Sequence, residues 1–226
     1  MKTLGKYTAE LLVIIIGITI SFWLNNLNEK RKSNAEEQRI LETIKENLIS
    51  DSVLLFEEQK LFLEAGKHYR RFVENPFSNP LDSLTNGYYL LNVYSIIPTT
   101  ETGYFELQSG GLKHIRNKAL ADEIIKHYTI ENSTWKEYNE IDKNFVLNQI
   151  IPSFNDNIPF FYNTFSEFEN DEKKMEKFKR FLESDKLKNL VKTSSIFKNN
   201  QVDLYIQNLK RKKVLIEAIN LELEKF

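Results

Sequence analysis

The chain has 226 residues, room for a short anchor and one sizeable domain. Its 31 basic and 32 acidic side chains leave a formal charge of −1, which gives no net field for drawing in nucleic acid, so no nucleic-acid partner is expected. Cysteine is absent, which removes disulfides, thiolate catalysis and cysteine-based metal sites, while scarce Gly (7) and Pro (5) favour helices.

The first element is apolar. Between Lys6 and Glu29 the only charged residue is Glu10. As a helix, residues 7–28 rise about 33 Å, enough for a hydrocarbon core of about 30 Å. The Leu, Ile, Val and Phe side chains between Leu11 and Leu24 contribute about −3 to −6 kcal/mol to insertion, and Glu10 sits near one end, where its cost is reduced. The alternative, a cleaved secretory signal, lacks a small-residue pair after the apolar run, where Phe22, Trp23 and Leu24 stand instead. Tyr7 and Trp23 occupy the places of an aromatic belt. An anchor over residues 1–33 is therefore expected, spanning about 7–27, with a domain from 34 to 226. Lys2 and Lys6 flank one end, and Lys30, Arg31 and Lys32 the other, a slight bias towards a cytoplasmic C-terminal domain.

At 100° per residue, Glu10, Gly17, Ser21, Asn25 and Asn28 fall within about 80° of one another. Such a small and polar stripe in lipid is a packing face, with Gly17 and Ser21 at the small-xxx-small spacing. Equally, Asn25 and Asn28 can be interfacial and Glu10 can reach to the headgroups.

After the anchor, apolar residues at three-four spacing predict a long helix over about 35–74, continuing the anchor as a stalk. Asp51 and Glu58 are expected to interrupt its stripe. A helix from about Leu81 to Ser95 follows, then a short one from Thr102 closed by Gly110-Gly111. Asn117 is expected to cap a second long helix, with Ile141 among its apolar positions, running to about Ile151 and stopping before Pro152. Residues 152–168 are expected to be irregular, folded over the bundle by Phe154, Phe160, Phe161 and Phe165. Short helices over about 171–183 and 186–192 precede a last long one over about 199–226. No segment alternates with period two. The fold class is all-α: a transmembrane helix continuing into a stalk, then an elongated bundle.

Two stretches resemble a known family: GKYTAELLVIIIGITISFWLNNLNEKRK, from Gly5 to Lys32, and TGYFELQSGGLKHIRNKALADEIIKHY, from Thr102 to Tyr128. Together they resemble single-span bacterial membrane proteins, plentiful in Bacteroidota, known as domain-of-unknown-function family 6090. Members similarly have a glutamate-containing span, a G-I-x-I core, an N-N-W-N-E exit followed by two basic residues, and a later L-x-S-x-G segment. Leu27 stands where the family usually has tryptophan, and the family's basic N-terminal extension is missing here. The resemblance implies a helical protein of the bacterial inner membrane with a cytoplasmic N-terminus and a periplasmic domain. It implies no activity.

Candidates for chemistry are few. Glu123 and His127 stand one turn apart, and with His114 could share a metal between helices, although the Glu-x-x-His pairs of a di-metal bundle are absent. The plainer expectation is a histidine with a local carboxylate. Gly110-Gly111 before Lys113 lacks the spacing and ending of a phosphate loop. Lys210, Arg211, Lys212 and Lys213 could touch acidic lipid or a partner, or form a solvated helix face. The aromatic groups around Tyr88, Tyr89, Tyr94, Tyr104 and Phe105 suit core packing, or else a groove. The expected protein is a membrane-anchored interaction, scaffold or sensing module, without catalysis or cofactor. Its expected partners are membrane lipid, a second copy through the anchor or stalk, and a further protein. The alternatives are a metal-dependent enzyme using Glu123, His127 and His114, and a lipid- or envelope-associated structural protein.

Overall fold

The computed structural model describes residues 2–74, 91–110, 115–157 and 172–226, and among these residues every regular element is a helix. Helix α1, Lys2–Glu74, runs unbroken from the apolar segment into the bundle, and at about 1.5 Å per residue it is about 110 Å long. Nothing in it stops a helix: it has no proline, and its glycines stand singly. A stretch of α1 is long and apolar enough to cross a membrane, and none of that stretch is buried against the rest of the chain. From Leu12 to Ser33 every side chain is exposed.

Burial begins at Glu37 and then recurs at Leu41, Ile44, Leu48, Asp51, Leu55, Phe62, Ala65 and Tyr69. These positions keep the four-three alternation of a heptad seam. The expected interruption does not occur at Asp51, which is itself buried on the seam because a cation meets it there. Glu58 is half-buried in the same series.

Helix α2, Thr102–Gly110, lies against α1 and buries Gly103, Tyr104 and Leu107. Residues 93–101 ahead of it carry no regular structure; of the helix expected over 81–95, residues 81–90 lie outside the described ones. Asn117 caps α3 as expected, its side chain accepting from the Leu120 N–H at 3.2 Å. Here the structure departs from the sequence expectation, because α3 does not stop at Pro152. It runs through Lys118–Lys126, a π-turn at His127–Glu131, Asn132–Phe145, a second π-turn at Val146–Ile150, and Ile151–Asn157. The second π-turn explains the tolerance. The Ile151 N–H already bonds to the Val146 carbonyl five residues back, so the ladder has widened before proline removes a donor. Residues 152–157 are thus helical rather than irregular, and Phe154 packs edge-on against Phe181 at 5.3 Å. Phe160, Phe161 and Phe165 lie outside the described residues.

Helix α4, Glu172–Glu183, matches its expected range, and Ser184 caps α5, Asp185–Leu223. Two helices were expected here with a break near 193–198. The structure has one, because Ser194 and Lys198 are seam residues, both fully buried. The seam of α5 runs Leu187, Val191, Ser194, Lys198, Gln201, Tyr205, Asn208, Lys212, Leu215, Ile219 and Glu222, again by fours and threes. Direction follows from its partners. Asp51 meets Lys212, Phe62 stacks on Tyr205, and Lys198 lies over the Phe62 ring, so α1 and α5 are antiparallel. Asn117 meets Glu222, and Asn139 meets Gln201, so α3 is also antiparallel to α5. The three long helices therefore share one core. It divides into a proximal cluster around Ile44, Tyr104 and Ile219, a middle one around Phe62, Trp135 and Tyr205, and a distal one around Tyr69, Ile150 and Val191. Tyr104 stacks on Tyr128 at 4.8 Å and Tyr94 packs on the distal cluster, whereas Phe105 is exposed; Tyr88 and Tyr89 lie outside the described residues.

Candidate functional site

Charged side chains sit between those apolar clusters. Where the proximal and middle clusters meet, Lys212 of α5 extends inward, 1% exposed, and its Nζ lies 3.1 Å from Asp51 Oδ2. The other Asp51 oxygen accepts from the Thr100 N–H at 3.1 Å. Where the middle and distal clusters meet, Lys198 donates to Asp142, and both side chains are fully buried. Gln201 beside them donates to Asn139 Oδ1 at 3.1 Å. Asp142, not Ile141, takes the seam position on α3; Ile141 is 46% exposed. A sequence read for apolar periodicity passes over a buried aspartate, since only the opposing lysine makes its burial tolerable.

The Asp51–Lys212 pair extends into a chain of charges. Lys212 Nζ lies 3.5 Å from His127 Nε2, and His127 Nδ1 lies 3.1 Å from Glu131 Oε2. Glu131 in turn accepts from Arg211 Nε at 2.9 Å. With Lys212 donating to Nε2 and Glu131 accepting at Nδ1, the imidazole is neutral and carries its proton on Nδ1. The π-turn at His127–Glu131 closes this geometry, with the Asn132 N–H reaching back to the His127 carbonyl. Asn132 lines the small void beside Asp51 and Lys212, and neither of its amide atoms has a hydrogen-bond partner among the described residues.

Burial, and then the nearby Lys212 ammonium, push the His127 pKa below 6.5, while Glu131 and Asp51 oppose that shift. The unfolded chain therefore takes up this proton before the folded one does. Stability falls as pH drops below about 6.5 and levels off once His127 is protonated in the folded state as well. In His127→Gln that part of the fall is absent. Urea midpoints of wild type and variant at pH 7.5 and 5.5 measure it: wild type loses more across this interval, and equal losses count against the assignment.

Of the three metal candidates, Glu123 and His127 are among the described residues. Glu123 and His127 line one groove of about 390 Å³ between α3 and α5, but each has other partners. Glu123 is 57% exposed and reaches Arg211 at 3.7 Å, while His127 is held by Glu131 and Lys212. Among the described residues no three potential ligands converge on one point, and His114 lies outside them. The basic run is not one face. Lys210, Arg211 and Lys213 are exposed, whereas Lys212 is in the core, because consecutive helical residues point about 100° apart. The expected lipid or partner contact is corrected at Lys212. Its pairing was legible only as an anionic seam residue on α1 and a cationic one on α5.

In the apolar N-terminal stretch of α1, Gly17 faces open space, and Ser21 Oγ donates to the Gly17 carbonyl at 2.8 Å, so this hydroxyl proton is used within its own helix. Asn25 Nδ2 lies 3.4 Å from Glu29 Oε1, and Asn28 is exposed; of Glu10 only the helical backbone is described.

Fold and site together define an all-α protein: a long N-terminal helix, apolar at its start, continuing into an antiparallel bundle whose core, among the described residues, buries the ion pairs Asp51–Lys212 and Asp142–Lys198. No family model, curated protein or solved structure matches the chain.

Proposed function

We propose that this protein is a membrane-tethered helical interaction module, in which the apolar part of α1 is embedded in lipid and the bundle meets protein partners outside it. The observation that carries this reading is the continuity of α1. From Leu12 to Ser33 it buries nothing among the described residues, yet the same unbroken helix supplies one wall of the bundle core. Exposed Ile, Leu and Phe at that density are stable in hydrocarbon and unfavourable in water. The ionisable groups enclosed in the bundle at two levels, meanwhile, are engaged with one another. His127, Glu131, Asp51 and Asp142 each face a cation or a proton donor, an arrangement that fixes helix register rather than attacking a substrate. Following the resemblance to family 6090, we place the N-terminus in the cytoplasm, the span in a bacterial inner membrane and the bundle in the periplasm.

Alkaline carbonate washing of native membranes tests the anchor. The full-length chain is expected to stay in the pellet, and its appearance in the supernatant overturns the reading. A reporter fused after Phe226 and active only outside the cytoplasm tests the side; activity in the cytoplasm reverses the assignment.

A further inference from the structure

We propose that the outer face of α1 is a homodimer seam, on which a second copy of this chain lies parallel and in register. This rests on the membrane reading above and adds to it a surface and a partner. Ile49, Val53, Phe56, Lys60 and Leu63 step by four and three along α1, the spacing of positions d and a in a coiled coil, and all five are exposed. In that frame the buried Leu48, Asp51, Leu55 and Phe62 fall at positions c and f, the opposite side of the helix. Helix α1 therefore has two seams. One is filled by α5; the apolar part of the other is covered by nothing among the described residues.

The outer series shares its frame with the anchor. Counting back from Ile49 in sevens reaches Asn28 and then Ser21, and four heptads before Val53 stands Asn25. Three members of the polar stripe in the span thus occupy a and d positions of the stalk seam. A straight helix drifts about 20° per heptad against such a frame, so following both zones with one partner takes the left-handed supercoil of a helix pair. Between the two zones the frame passes through Lys32, Ala35, Arg39, Glu42 and Glu46, a mostly charged interval in which Arg39 is held by Glu36 and Glu106.

A second copy fits this face better than an unrelated chain. Both copies enter the same membrane through the same rigid helix, which sets them parallel and at equal height and raises their local concentration. Parallel pairing sets Glu57 opposite Ser52, and Glu64 opposite Gln59, so no like charges meet across the flanks. The Lys60 ammonium lies over the Phe56 ring at 4.3 Å and 2.8 Å from Glu57, so its charge is answered beside the seam. Between Ile49 and Leu63, Lys60 is the one charged a or d residue; in the parallel pair it faces its counterpart, which specifies register at a cost in stability.

The chain has no cysteine, so single-cysteine variants report without background. Full-length Ile49→Cys, Val53→Cys, Phe56→Cys and Leu63→Cys are oxidised in native membranes beside Leu54→Cys, an exposed position off the seam. The seam variants are expected to give several-fold more of a band at twice the 26.7 kDa chain mass than Leu54→Cys. Equal crosslinking at all positions, or none at the seam, overturns the proposal. Ser21→Cys and a carbonate wash separate the failures. If the chain stays in the pellet while the stalk positions do not crosslink, the stalk seam falls and the membrane reading stands, whether or not Ser21→Cys pairs. Release by carbonate overturns both.

Discussion

Replacing Lys198 by alanine is expected to cost about 3–5 kcal/mol of stability, since it leaves the Asp142 carboxylate buried and unpaired between two apolar clusters. Both partners are fully enclosed, and burial acts on each: it raises the Asp142 pKa and lowers that of Lys198 against their mutual attraction. Desolvation that outweighs the attraction for both partners means that the pair does not hold the bundle together by its own energy. The double replacement Lys198→Met with Asp142→Leu is therefore expected to be neutral or more stable than wild type, by up to about 4 kcal/mol. Urea unfolding followed by far-ultraviolet circular dichroism in detergent measures all three proteins. Additive losses in the double variant would contradict this account. What the double variant is expected to lose is register. With Lys198 and Lys212 fourteen positions apart on one seam, two heptads, each opposed by an aspartate on a different helix, sliding α5 by a single heptad leaves a charge unpaired.

The second large effect concerns close approach rather than charge. A Cβ placed on Gly103 would lie 2.7 Å from Ile44 Cγ1, 2.8 Å from the Ile44 backbone nitrogen and 3.1 Å from its Cα. Side chains can turn aside, but the backbone of α1 cannot. Gly103→Ala is therefore expected to lift α2 from α1, costing about 1–3 kcal/mol or more and exposing Tyr104 and Leu107. A shift in urea midpoint, with increased quenching of tyrosine fluorescence, is the expected signature. Gly17→Ala is the matched control: nothing lies within 4 Å of its Cβ position within the chain, so bundle stability stays unchanged. An unaltered midpoint in Gly103→Ala would mean that the two backbones are farther apart than the structure places them.

Much of this architecture can be read from periodicity. The apolar run through Trp23, the absence of breakers from there to Glu74, the Asn117 cap and the range of α2 all follow from properties local to the chain. The site was less legible. Glu123 and His127 have metal-binding spacing, yet the residues that face His127 are Glu131, one turn further along, and Lys212, 85 positions away.

Local sequence thus determined that the chain is helical, that one segment suits lipid, and which stripe of α1 turns inward. It could not determine that Asp51, Asp142, Lys198 and Lys212 lie in the core, because a charge is buried only where an opposing group arrives from elsewhere in the chain. Nor could it decide that α3 passes through Pro152, or that α5 continues through Ser194 and Lys198. Intrinsic helix preferences differ by only about 0.7 kcal/mol per ordinary residue, so packing along a shared seam overrides them. That seam exists only once three helices have met.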